Sequence, residues 1–175
     1  ILNTALPNMA ETLGESPLQL QSVVIAYMLT VALLIPASGW LADRFGTRRI
    51  YLAAILLFTL GSLACAAANT LPMLVAARVL QGVGGALLMP IGRLAVLRVY
   101  SKHELLRVMS FVTIPGLVGP LIGPALGGWL VEVASWRWVF LVNLPVGLLG
   151  FIASWHFMPE LRQRSARFDW QGFVM

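Results

Sequence analysis

Charge is what this sequence lacks most. Only 11% of its residues are Asp, Glu, Lys or Arg, 59% are hydrophobic, and the mean hydropathy is +0.85. A water-soluble domain has about a quarter of its residues charged, so lipid is the expected solvent for most of this chain. Acid is scarcer than base: seven acidic residues stand against twelve basic ones, a formal net charge of +5. A basic excess can signal nucleic acid. Here, however, Lys and Arg fall in short clusters between apolar runs, the pattern that sets membrane topology, so no nucleic-acid partner is expected. Cysteine is nearly absent. Cys65 alone, inside an apolar run, offers no disulfide and no CxxC or Cys/His spacing for a metal, and it reads as a small packed apolar side chain. Paired carboxylates and a Ser/His/Asp set are also missing, which argues against an integral-membrane enzyme. No charged leader and no initiating Met precede the first apolar residues. The chain is therefore expected to be a piece whose start has been removed.

What is present is a series of long apolar runs. A helix needs about 20 apolar residues in succession to cross a bilayer. Residues 1–8 read as the tail of a first span, and 19–41, 50–69, 73–97, 108–131 and 138–158 as whole spans. The expected organisation is an all-α, polytopic membrane bundle over 1–158, its first span truncated. A basic cytoplasmic linker over 159–168 and the start of a further span over 169–175 follow. Arg44, Arg48 and Arg49 lie between the second and third spans. Arg93, Arg98, Lys102 and Arg107 bracket the connection between the fourth and fifth, and Arg162, Arg164 and Arg167 follow the sixth. These connections share one side and hold ten of the twelve basic residues. The other side has Glu11, Glu15 and Glu132 but only Arg137, so the Arg-rich loops are placed in the cytoplasm. Trp136 and Trp138 on the outer side, and Trp40 and Trp155 nearer the inner one, suit an aromatic belt.

A weak internal repeat supports this topology. Gly39-Trp40-Leu41-Ala42-Asp43, followed by Arg48, recurs 89 residues later as Gly128-Trp129-Leu130-Val131-Glu132, followed by Arg137. The same offset pairs Ile50 with Val139, Leu52 with Leu141 and Gly61 with Gly150. Three spans separate the copies, so they are inverted, a construction common in secondary transporters.

Three motifs bear on mechanism. In the first, Gly39 through Arg49, Gly39 lets neighbouring helices approach closely and Gly46 permits a tight turn. Asp43, among Arg44, Arg48 and Arg49, either forms charge-assisted bonds or sits at a neighbouring helix N-terminus, as part of a conformational latch. The plainer reading is a solvated basic loop. In the second, Arg78, Gln81, Gly82 and Gly85 form one helical stripe. An Arg at the centre of a membrane helix costs about 2.5–3.5 kcal/mol. Arg78 therefore faces a polar cavity or partner with Gln81, or else snorkels to an interface. In the third, Gly119, Gly123 and Gly127 make two GxxxG steps on one face, flanked by Gly116 and Gly128. Pro120 and Pro124 remove backbone donors and are expected to bend this helix.

The first motif resembles the signature loop of the major facilitator superfamily in Gly39, Leu41, Asp43, Arg44, Gly46, Arg48 and Arg49. Arg78-Val-Leu-Gln81-Gly82 is similar to the R-x-x-Q-G motif of that superfamily, and Gly123-Pro124-Ala-Leu-Gly127-Gly128 to its antiporter motif. Ile1 through Pro7 and Phe168 through Gly172 resemble elements of the fourteen-helix drug:proton antiporters. The resemblance implies the N-terminal six-helix half of a major facilitator fold, built from two inverted three-helix repeats, in a bacterial inner membrane. It implies a proton as coupling ion and no cofactor, with Arg78 and Gln81 in proton coupling. It also implies rocker-switch export of small amphipathic or cationic organic compounds, against the C-terminal half of the same chain. A transporter for one metabolite and a non-transporting sensor are the alternatives. In that subgroup an Asp just before the position of Ile1 is a proton carrier. Here all seven acidic residues lie at or beyond helix ends, and His156 reads as interfacial. Tyr27, Met28, Met89, Phe111 and Phe140 are candidates to line an adaptable cavity. Tyr27 and Met28 point about 100° apart on a helix, so both do not face it. Residues 1–175 alone are expected to give no counterflow in reconstituted vesicles; measurable counterflow would contradict the need for a second half.

Overall fold

The computed structural model describes residues 2–161, apart from the side chains of residues 3 and 115. Its elements are α1 (Leu2–Leu13), α2 (Pro17–Leu34), a 3-10 turn (Ile35–Ala37), α3 (Ser38–Phe45), α4 (Thr47–Ala67), α5 (Leu71–Val99), α6 (Lys102–Val133), α7 (Trp138–Leu141) and α8 (Asn143–Phe157). No strand occurs among the described residues. Five stretches are long and apolar enough to cross a membrane: Pro17–Phe45, Thr47–Ala67, Leu71–Val99, Lys102–Val133 and Trp138–Phe157. Leu106, Leu121 and Phe157 are among many large apolar side chains on the outer faces, as lipid solvation requires. The linker from residue 162 on and the further span, including Arg162, Arg164, Arg167 and Phe168 through Gly172, lie outside the described residues.

Most expected limits agree with the structure to within three residues, and the larger shifts arise because helices end at caps, not where hydropathy falls. The helix expected to end at residue 8 continues through Pro7 to Leu13, and stops where Gly14 turns left-handed at φ +67°. α2 begins at a reciprocal cap, in which the Ser16 hydroxyl accepts from Gln19 N while the Gln19 side chain accepts from Ser16 N at 3.0 Å. α6 starts well before residue 108, because Ser101 and Glu104 form the same box. α5 outruns its apolar run to Val99, past Arg93 and Arg98. Two spans read as continuous are broken at prolines. Pro36 lies in the 3-10 turn between α2 and α3, and Pro145 lies in the first turn of α8, just after the break from α7 at Val142. In each, the missing N–H removes a helical hydrogen bond. α6, by contrast, runs as one helix through Pro120 and Pro124.

The bundle closes around α4 and α5 because both present glycines where the other crosses. A Cβ on Gly61 would lie 2.6 Å from the Gln81 backbone, and one on Gly84 would lie 2.4 Å from Phe58 N. On its other face α5 meets α2, where a Gly82 Cβ would be 2.9 Å from the Thr30 Cβ. α8 packs on α4 through Gly147 against Thr59. Other glycines behave differently from expectation. A Cβ on Gly39, Gly116, Gly119 or Gly128 would meet nothing within 4 Å, so these positions admit no described helix. Gly123 and Gly127 are buried, so only part of the expected GxxxG face is covered. Trp136, expected in an aromatic belt, is instead in the core with Ala5, Met9, Leu74 and Phe140. Trp138 and Trp155 are exposed.

The repeat has a structural counterpart. Its copies end α3 and α6, and the arginine after each bonds the last carbonyls of a helix in the other repeat. Arg48 donates to Trp155 O in the final turn of α8, and Arg137 donates to Ala68 O, just past α4, at 3.2 Å. Carbonyls there have no helical partner and lie at the negative end of the helix dipole, so a guanidinium satisfies both needs.

The glycine contacts predict a clear contrast in the full-length protein. Gly84→Val should cost about 1–3 kcal/mol through overpacking and lower the melting temperature in detergent. Gly116→Ala, in open space inside a helix, should hold that temperature or raise it. Equal effects of the two would show that α4 and α5 do not cross as described.

Candidate functional site

Arg78 lies about two turns into α5 and is only 8% exposed. It does not snorkel. Its Nε donates to Val23 O on α2 at 3.2 Å, its Nη1 donates to Gln81 Oε1 at 2.6 Å, and its guanidinium carbon stands 4.1 Å from the centre of the Tyr27 ring. Gln81 is fixed from its other end, where Nε2 donates to the buried Ser62 Oγ of α4 at 2.6 Å. Ser62 Oγ also accepts from Asn143 Nδ2 of α8 at 3.3 Å. The Cys65 thiol lies 3.9 Å from Gln81 Oε1, buried and unpaired as a cysteine. Polar side chains from three helices thus converge on one guanidinium, and α2 contributes its backbone and an aromatic face. The close α4–α5 crossing at Gly61 is what brings Gln81 within reach of Ser62.

Beside this cluster is a cavity of about 200 Å³ whose wall includes Tyr27, Phe58, Arg78, Gln81, Phe140 and Asn143. Of the five candidates for a cavity lining, Tyr27 and Phe140 are there. Met28, Met89 and Phe111 are exposed and do not line this cavity. Met28 is turned away because Tyr27, its neighbour, occupies the inward position on α2. A second, more apolar cavity of about 190 Å³ lies between α4, α5 and α8, and shares Phe58 and Asn143 with the first. Sequence reasoning missed Ser62 and Asn143; the available signal was an isolated polar residue in an apolar run.

The loop motif is assembled differently from expectation. Asp43 does not pair with Arg44, Arg48 or Arg49. Its carboxylate takes Nη2 of Arg98 at the end of α5, and Arg98 Nη1 donates to Thr47 Oγ1 at 3.1 Å. Thr47 in turn donates from its N and its hydroxyl to Leu161 O, at 3.1 and 2.9 Å. The reason is the one-residue link between α3 and α4. Gly46, at φ +98°, lets α4 start at once and turns Asp43 towards α5. Arg44 stacks on Trp40 at 5.3 Å, Arg48 stacks on Trp155 at 5.1 Å, and the exposed Arg49 is 3.9 Å from Glu160.

Glu11, Glu104 and Glu132 are exposed, Glu15 is half-buried, and His156 is exposed at the end of α8, within 3.0 Å of Ile152 O. No group of His, Cys, Asp or Glu among the described residues is arranged to hold a metal ion.

The Major Facilitator Superfamily profile matches residues 1–171. The multidrug resistance protein MdtD of Pectobacterium carotovorum is 58% identical over 174 residues, which cover 99% of this chain and 37% of that protein. MdtD of Yersinia enterocolitica is 56% identical, and MdtD of Cronobacter sakazakii 58% identical, each over 175 residues that cover all of this chain and 37% of theirs. The chain thus spans a little over a third of the length of the curated relatives it matches.

The part-buried Asp43–Arg98 pair should register as a coupling. In the full-length protein, Asp43→Asn and Arg98→Gln should each lower stability, and the double variant should lose less than their sum by about 0.5–3 kcal/mol. Strict additivity, measured by thermal unfolding in detergent, would show that the pair is not formed.

Proposed function

Because this chain belongs to the major facilitator superfamily, we propose that its parent protein is a secondary transporter, which exports small organic compounds in exchange for protons. The observation that carries the reading is Arg78: a charge buried among apolar spans, held by Gln81 and Val23 O and open to a cavity. A buried charge in a membrane helix is costly and marks a pathway or a proton-linked site. In this reading the Arg78 charge sets the proton affinity of a carboxylate elsewhere in the parent chain. Asp43, Arg98 and Thr47 hold the Arg-rich ends of α3, α4 and α5 together in one state and release them in the other. Gly119, Pro120, Gly123, Pro124, Gly127 and Gly128 line the face of α6 that moves against the rest of the protein. The Arg-rich ends face the cytoplasm of a bacterial inner membrane, by the positive-inside rule. The relatives' name favours several substrates over one, whereas the small size of the cavity beside Arg78 favours a single metabolite.

Inside-out vesicles that contain the full-length protein provide the test. When a panel of drugs, dyes and metabolites is added, several unrelated compounds should release protons from the acidified lumen. Arg78→Ala, checked for correct insertion, should lose that release. Release by one compound alone would leave proton exchange and replace multidrug export with the single-metabolite reading. No release by any compound would overturn the proposal.

A further inference from the structure

Helix α8 ends at Phe157, and the segment Met158 through Leu161 that follows is tied down along its length. Three successive residues at the start of α4 hold it and the last turn of α8. Thr47 donates to Leu161 O from its N at 3.1 Å and from its hydroxyl at 2.9 Å. Arg48 donates to Trp155 O and stacks on the Trp155 ring. Arg49 lies 3.9 Å from Glu160. Between these points Met158 packs against the cluster formed by Ala42 of α3, Ala54 of α4, and Leu87 and Ile91 of α5.

Thr47 is also where this segment meets the Asp43–Arg98 pair. It is fully buried, and its hydroxyl accepts from Arg98 Nη1 at 3.1 Å while it donates to Leu161 O. A hydroxyl that accepts from a cation is a stronger donor, because the charge polarises its O–H bond. The Leu161 contact is therefore strongest while Arg98 is in place, and the Asp43 carboxylate keeps it there. Thr47 N is the first amide of α4, so it has no helical acceptor and lies at the positive end of the dipole. Leu161 O meets that need. An unbroken series, Asp43 to Arg98 to Thr47 to Leu161, thus runs from the loop motif to the segment after α8. Each link is modest by itself, so the series can open as well as close.

We propose that Met158 through Leu161 form a strap controlled by the loop motif. The strap is docked while Asp43 holds Arg98 and lets go when that pair opens. The chain that continues from residue 162 is tethered in the first state and released in the second. The inference rests on the transport reading for its two states, since there the same pair opens and closes during the cycle. Its test is separate, because the strap is followed in the purified protein without transport.

Arg162 and Arg164 place tryptic sites just after the strap, and a protease cuts there only when the flanking residues pull away. The rate of cleavage after Arg162 is followed by mass spectrometry in the full-length protein. It is taken relative to the cut after Arg107 in α6, which a general loosening would also speed. Thr47→Val, which keeps the shape and loses the hydroxyl, should raise this ratio about fivefold, the effect of one hydrogen bond. Thr47→Ser should restore it. Asp43→Asn should raise it as well, which a strap independent of the pair would not show. A second measurement uses exposed positions and stands even if Thr47→Val does not fold. The double variant Arg49→Cys, Glu160→Cys should be cross-linked by a short dimaleimide, with the buried Cys65 out of reach, and adding Asp43→Asn should lower the yield. An unchanged ratio in Thr47→Val or Asp43→Asn, or a yield indifferent to Asp43→Asn, would overturn the strap. If vesicles release protons and the strap does not respond, the strap alone has failed. If the strap responds and no compound drives release, it is the transport reading that has failed.

Discussion

A guanidinium inside a helix bundle surrounded by lipid is costly unless acceptors within the bundle meet it. That requirement organises the centre of this structure. Arg78 is satisfied by a carbonyl of α2 and by Gln81, one turn further along α5. Gln81 serves as an acceptor only because Ser62 of α4 anchors its other end. Ser62 reaches Gln81 because Gly61, its neighbour, lets the two backbones come into contact. Close glycine packing, usually treated as a matter of van der Waals fit in membrane bundles, is here also what completes a polar network. Asn143 extends the network to α8, so four helices meet at one cation.

Charge at the Arg-rich end works by a different balance. There the carboxylate and the arginines are near water and individually weak. What they share is geometry. Gly46 joins α3 to α4 without a loop, Asp43 reaches across to Arg98, and Thr47 links Arg98 to the backbone of Leu161 beyond α8. Helices α3, α4 and α5 and the segment after α8 are held at one point by contacts that are separately modest and can therefore be made and broken. The reciprocal arginines, Arg48 on the end of α8 and Arg137 on the end of α4, give the inverted repeat its physical content. Each repeat caps a helix that belongs to the other.

The all-α membrane class, the number of long spans and the need of Arg78 for a partner were legible in the amino-acid order, because each follows from composition along the chain. A shortage of charge selects lipid, twenty apolar residues select a span, and an arginine among them demands a partner. Helix limits were less legible, since hydropathy registers solvent and caps register local hydrogen bonding; Ser101 with Glu104 extends α6 well into polar sequence. Asp43 was read beside the arginines next to it in sequence, yet it binds one on another helix. Tyr27 and Phe140 were candidates by type alone, and only the packing of α2, α5 and α7 puts them on one cavity wall.

The sequence by itself therefore determined the solvent, the spans and which residues carry an unusual energetic demand, because these depend on residues near one another along the chain. Only the tertiary structure decided how the demands are met. Whether Asp43 meets Arg98, whether Gln81 meets Ser62, and which side of α2 looks inward depend on how helices rotate and cross. A few ångströms at glycines such as Gly61 and Gly84 settle that crossing, and no pattern along a single helix encodes it.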